Sequence, residues 1–123
     1  MIDEAVLQKR YLRDTTPRRL GNLASSLKRL GRFIALQEFD RTVYDLAQEC
    51  RLFAGWAAPE AEYETAVALQ DLQNDLTEWQ ESYAQRKSDE SWRADINLAC
   101  AQWSQRLLEL SGLLNKKPET ITD

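Results

Sequence analysis

The chain contains no histidine. That absence removes the commonest general base, the Ser-His and Cys-His nucleophile pairs, and every HExxH or ExxH metal site. Neither GxxxxGK[ST] nor GxGxxG occurs, so no loop is built to cradle phosphate, and no EF-hand spacing is present. The chain has only 4 glycines and 3 prolines. So few breakers favour long uninterrupted helices over a many-turned β architecture. The two cysteines, Cys50 and Cys100, are far apart and in no CxxC pattern, so they form no disulfide framework. A reducing compartment follows most simply. No apolar run approaches the roughly 18 residues needed to span a bilayer. The first residues, Met1-Ile2-Asp3-Glu4, are acidic where a secretory leader is basic. A cytoplasmic protein is expected.

What remains is a globular composition, with 43% hydrophobic and 29% charged residues in 123. That length suits one domain whose core is stable without metal or disulfides. The apolar residues recur at helical spacing, which predicts an all-α, elongated bundle of four to five helices over about 2–14, 17–36, 40–54, 59–86 and 89–114. The domain spans 1–114, with a flexible tail over 115–123.

Each element rests on its own signals. In the first helix Ile2, Ala5, Val6 and Leu12 lie on one side, with Leu7 and Tyr11 nearly opposite. Such a helix sits between neighbours or docks on a second chain. Thr16-Pro17 predicts an N-cap and a first helical residue. The seam Leu20, Leu23, Leu27, Leu30, Ile34 follows, spaced three-four-three-four.

A new stripe of Phe39, Val43, Leu46, Cys50 and Phe53 then starts after a five-residue step, about 140° around a helix. That predicts a turn at 37–39 with Asp40 as N-cap, the alternative being one kinked helix over 17–54. Gly55 is the expected end of this helix in a left-handed cap, and Pro59 the expected start of the next. The fourth stripe is Tyr63, Ala66, Leu69, Leu72, Leu76, Trp79 and Tyr83. Ser88 or Asp89 caps the fifth helix, whose stripe is Trp92, Ile96, Ala99, Trp103, Leu107, Leu110 and Leu114. Leu98, Leu108 and Leu113 lie beside it, a breadth that suggests a central helix or a face covered by a partner.

The net charge of −4 hides an asymmetry. Lys9, Arg10, Arg13, Arg18, Arg19, Lys28, Arg29 and Arg32 crowd the first quarter. No Lys or Arg falls between Glu60 and Glu81, where seven acids do. The two charged helices either neighbour each other, stand as separate solvated faces, or steer a partner, including another copy head to tail. Glu64, Asp71, Asp75 and Glu78 share one helical side, which reads as a solvated acidic face rather than a metal site. Cys50 and Cys100 read as buried, inert thiols. Trp79, Trp92 and Trp103 sit at core spacing. Trp56, in an interhelical connection, either staples that corner or stands out as a binding anchor.

The sequence therefore predicts a non-enzymatic protein-interaction module (an adaptor, assembly chaperone or accessory subunit) or a self-associating protein. No catalytic, cofactor-binding or metal-binding residues, cofactor or small-molecule substrate are expected. Partner contacts are expected at Arg18, Lys28, Arg29, Arg32, Trp56, Leu108 and Leu113. The alternative is nucleic-acid binding through the basic residues 9–32.

Overall fold

In the computed structural model, which describes residues 3–112, the chain forms five α-helices and one 3-10 turn. Helix α1 spans Glu4–Leu12, α2 Thr16–Ala35 and α3 Asp40–Ala57. The 3-10 turn is Ala58–Glu60, followed by α4 over Tyr63–Arg86 and α5 over Glu90–Ser111. The connections between α2 and α5 are short, so successive helices run antiparallel, up-down-up-down. Helix α2 packs most extensively along α5 and also against α3, while α4 packs along α3 and touches α5 more narrowly. The order around the bundle is thus α2, α3, α4, α5, with α2 and α4 on opposite corners and running in the same direction.

The leucine seam of α2 is the centre of the core: Leu20, Leu23, Leu27, Leu30 and Ile34 are all buried. They meet Val43, Leu46, Cys50 and Phe53 from α3, and Leu69, Leu72, Leu76 and Trp79 from α4. The α2–α5 seam is instead built from small residues. Ala24 and Gly31 on α2 and Cys100 and Ser104 on α5 are buried. A Cβ placed on Gly31 would lie 2.9 Å from Cys100 Cβ and 2.7 Å from Asn97 Oδ1. The Arg93 guanidinium of α5 closes this seam by donating to the Ala35 carbonyl at 3.2 Å.

Residues 17–54 form two helices rather than one kinked helix. The turn at 37–39 is marked by Gln37, which takes a left-handed φ of 57°. Phe39, not Asp40, occupies the N-cap position. Phe39 is also 81% exposed, contrary to its place at the head of the third stripe. Its extended backbone, φ −55° and ψ 145°, lies outside the helix, so the 3.6-residue period cannot be carried back to it. Thr15 rather than Thr16 is the N-cap of α2, with Pro17 within its first turn.

Gly55 does not terminate α3, which continues to Ala57. One glycine costs a helix only about 1 kcal/mol, and the buried Ala54 and Ala57 flank it in the core. The break comes from Pro59, which has no N–H to donate to the Gly55 carbonyl. Pro59 sits in the 3-10 turn rather than opening α4, which begins at Tyr63 with Glu62 at its N-cap.

Tyr63 is 84% exposed. The inward stripe of α4 is Thr65, Leu69, Leu72, Leu76, Trp79 and Tyr83, and Tyr63 lies two residues, about 200°, from its start. Asp89 caps α5, its carboxylate accepting the Trp92 N–H at 3.1 Å. That hydrogen bond, more than any nearby charge, holds the Asp89 carboxyl below its ordinary pKa. Gly112, at φ 80°, is the left-handed C-cap. Helix α5 therefore ends at Ser111, short of the expected 114, because Gly112 takes the left-handed cap; the tail over 115–123 lies outside the described residues, as do Leu113 and Leu114.

Candidate interaction surface

Helix α2 buries one side in the bundle and turns Arg18, Asn22, Ser25, Lys28, Arg29 and Arg32 outward, all of them exposed. Their spacing of four, three, three, one and three keeps them in a stripe opposite the leucine seam. At the end of this stripe stand Leu36 (63% exposed) and then Phe39, two apolar side chains that the core does not use.

Beside the stripe, α1, α2 and α3 enclose a groove of about 370 Å³. Its floor is aromatic: the Tyr11 ring stacks on Phe53 with centroids 4.1 Å apart and planes 9° from parallel. Trp56 is half-buried against the same pair, its ring centroid 6.1 Å from Tyr11 and 6.2 Å from Phe53. The indole therefore packs this corner rather than standing clear of it.

Tyr11 also explains how α1 docks. Its hydroxyl donates to the Arg19 carbonyl at 2.7 Å. The Arg19 guanidinium, itself buried, donates to the Leu12 carbonyl at 2.8 Å and pairs with Glu60. Thus the Leu7–Tyr11 side of α1 faces the bundle, and Ala5, Val6 and Leu12 face outward. Burial pushes the Tyr11 hydroxyl pKa well above its ordinary value, so the donor is retained across the accessible pH range.

The rim of the groove is polar and internally paired. Glu49 accepts from Ser26 Oγ at 3.1 Å and pairs with Arg29 at 3.5 Å. Asp14 accepts from Asn22 at 3.1 Å. Of the cations expected to meet a partner, Arg29 is thereby tied down. Among the described residues, Arg18, Lys28 and Arg32 have no ion-pair partner. Leu108 is half-buried against the core, whereas Leu98, nearer the start of α5, is 59% exposed. The candidates thus do not converge on one place: the basic residues share the α2 face, Trp56 lies at the α1–α3 corner, and Leu108 lies on α5.

The acidic face is separate from the basic one. Glu64, Asp71, Glu78 and Glu81 are exposed on α4, across the bundle from α2. Asp75 is half-buried and accepts the Trp103 indole N–H at 2.9 Å, joining α4 to α5. Among the described residues, no three or more carboxylates or thiols gather as a metal would require. None of these helices is long and apolar enough to cross a membrane.

Both cysteines are free and buried in the core. Burial pushes the Cys100 thiol up to about 12 and raises Cys50 as well, with Cys100 adding to the shift on Cys50. At pH 8 the folded protein should therefore react with a thiol reagent at least about 100-fold more slowly than the denatured chain, which should titrate two thiols. Prompt reaction of either thiol in the native state would contradict this burial. Because the folded thiols hold their protons, their contribution to stability is present below the ordinary thiol pKa and drains away as pH rises above it.

Sequence could not find the Tyr11–Phe53–Trp56 cluster, because nothing local links residues 42 positions apart. In comparisons with known proteins, no family model, curated protein or solved structure matches this chain.

Proposed function

We propose that this protein is a non-enzymatic interaction module, acting in the cytoplasm, whose α2 face receives an acidic protein partner. The observation that carries this reading is the set Arg18, Lys28 and Arg32, without ion-pair partners among the described residues, on one exposed helical face that ends in exposed Leu36 and Phe39. Cations of this kind contribute little to folding. They steer an oppositely charged surface into contact, and the apolar end supplies burial once contact is made.

The test compares partner capture by the wild type with capture by the triple variant Arg18→Glu, Lys28→Glu, Arg32→Glu. The variant is expected to keep its helical circular dichroism and to lose at least about tenfold in partner affinity at low salt. Equal capture by both proteins would move recognition away from α2.

Exposed Lys9, Arg10 and Arg13 on and just after α1 favour a second reading, contact with nucleic-acid phosphates. It is the weaker of the two, because Asp14 and Glu49 stand among the cations and aromatic platforms for stacking are few on this side. No gel shift is expected even at low salt, where phosphate contacts are strongest. A retarded band that fades steeply with added salt would replace the protein partner by a polyanion.

A further inference from the structure

We propose that the partner of the α2 face is the α4 face of a second copy of this chain, docked antiparallel. This deepens the reading of α2 as a protein-docking surface and depends on it.

Three observations support the assignment. The exposed basic face of α2 and the exposed acidic face of α4 lie on opposite corners of one bundle, so among the described residues only the Arg19–Glu60 pair joins the two charged segments within a copy. Their signs are complementary, with the outer face of α4 carrying no cation between Glu64 and Glu81. Their registers also match. If Leu36 is set beside Tyr63 with the helices antiparallel, Arg32 falls beside Val67, Lys28 beside Asp71, Ser25 beside Asn74 and Arg18 beside Glu81. Every one of these side chains is exposed in the single copy. The pairing lays exposed Leu36 against exposed Tyr63 at one end and sets Lys28 against Asp71 and Arg18 against Glu81 along the rest, with Arg32 facing Val67 and Ser25 facing Asn74, over about 27 Å of helix. A parallel apposition would instead put Leu36 beside Glu81 and separate the apolar ends.

The contact is heterologous, since each copy offers a different face, so copies add head to tail without closing as a dimer. One helix per side is less than the roughly 800 Å² per partner of a stable interface. The association is therefore weak, and salt-sensitive because its facing charges are solvent-exposed and the attraction that brings two copies together is screened beyond about 8 Å at physiological ionic strength.

Sedimentation equilibrium tests this with the full chain. The wild type is expected to gain mass with concentration at about 20 mM salt and to revert to monomer at about 500 mM. Arg18→Glu/Lys28→Glu and Asp71→Lys/Glu81→Lys are each expected to stay monomeric. Their equimolar mixture is expected to assemble, because the acidic α2 of one then meets the basic α4 of the other. For the register, copies carrying Arg18→Cys should cross-link to copies carrying Glu81→Cys and not to copies carrying Glu64→Cys.

A wild type that stays monomeric at millimolar concentration in low salt would overturn the proposal. So would a mixture that fails to assemble, or cross-linking through Glu64→Cys. A monomer that still captures an acidic protein through α2 overturns self-docking and leaves the broader reading of that face standing.

Discussion

Gly31→Leu is expected to destabilise the bundle by about 3 kcal/mol, at the upper end of overpacking costs. That corresponds to a fall of roughly 15 °C in melting temperature for a domain of this size. The physical cause is the α2–α5 seam. The first added atom already meets Cys100 Cβ at 2.9 Å, and Cys100 Cβ is anchored to the α5 backbone. Asn97 Oδ1, at 2.7 Å, is the end of a flexible side chain and can swing away. Cys100 cannot, so α5 must move outward along the seam that α2 shares with it most extensively.

Gly31→Ala should destabilise too, by about 1 kcal/mol, although alanine is the better helix former by a similar amount. Gly55→Ala supplies the contrast. Its Cβ would find only an ordinary 3.5 Å contact with Gln73 Oε1 inside a continuous helix. It should therefore stabilise by about 0.5–1 kcal/mol. Denaturant melts of the three variants would check this, and a neutral Gly31→Leu would mean that the seam is looser than its distances indicate.

Tyr11→Ala is expected to release α1 and to cost about 3 kcal/mol, the lower end for truncating a buried aromatic. Helix α1 is nine residues long, too short to hold its shape alone in water. Its docking depends on the Tyr11 ring against Phe53, the Tyr11 hydroxyl on the Arg19 carbonyl, and the Arg19 guanidinium on Leu12. Tyr11→Phe keeps the stack and loses one hydrogen bond, about 1 kcal/mol. Trypsin should report the difference. Cleavage after Lys9, Arg10 and Arg13 should accelerate strongly in Tyr11→Ala and little in Tyr11→Phe, while α2 to α5 remain protected in both. Uniform loss of protection across the chain would instead make α1 an integral part of the core.

How far the sequence carries the fold depends on where in each helix one looks. Within a helix, the period is set by backbone hydrogen bonding, so Leu20 to Ile34 and Leu69 to Tyr83 were readable as inward stripes. At the ends the stripes mislead: Phe39 stands in solvent because its backbone lies outside the helix, and Tyr63 because the period itself turns it away from the Thr65–Leu69 side. The same limit applies to breakers. Pro59 stops α3 because it lacks a donor, a covalent property visible in any context. Gly55 does not, because its weak preference is outweighed by the packing of its neighbours. On α5 the large residues Trp92, Trp103 and Leu110 drew attention to one side. Of the expected stripe Ile96 and Leu107 are buried, but the line between them is completed by Cys100 and Ser104 rather than by Trp103, since close helix approach selects small side chains.

By itself the sequence determined that this protein is helical, where its seams run, which catalytic motifs it lacks and that its charge is divided along the chain. These are local properties, written in spacing and residue type. Only the tertiary structure decided that the basic and acidic helices occupy opposite corners, that Tyr11 carries α1 onto α3, and that among the described residues Arg29 is paired while Arg18, Lys28 and Arg32 are not. Each of those depends on which distant segments meet in space. That is governed by the order of helices around the bundle, and helical periodicity is the same for every such order.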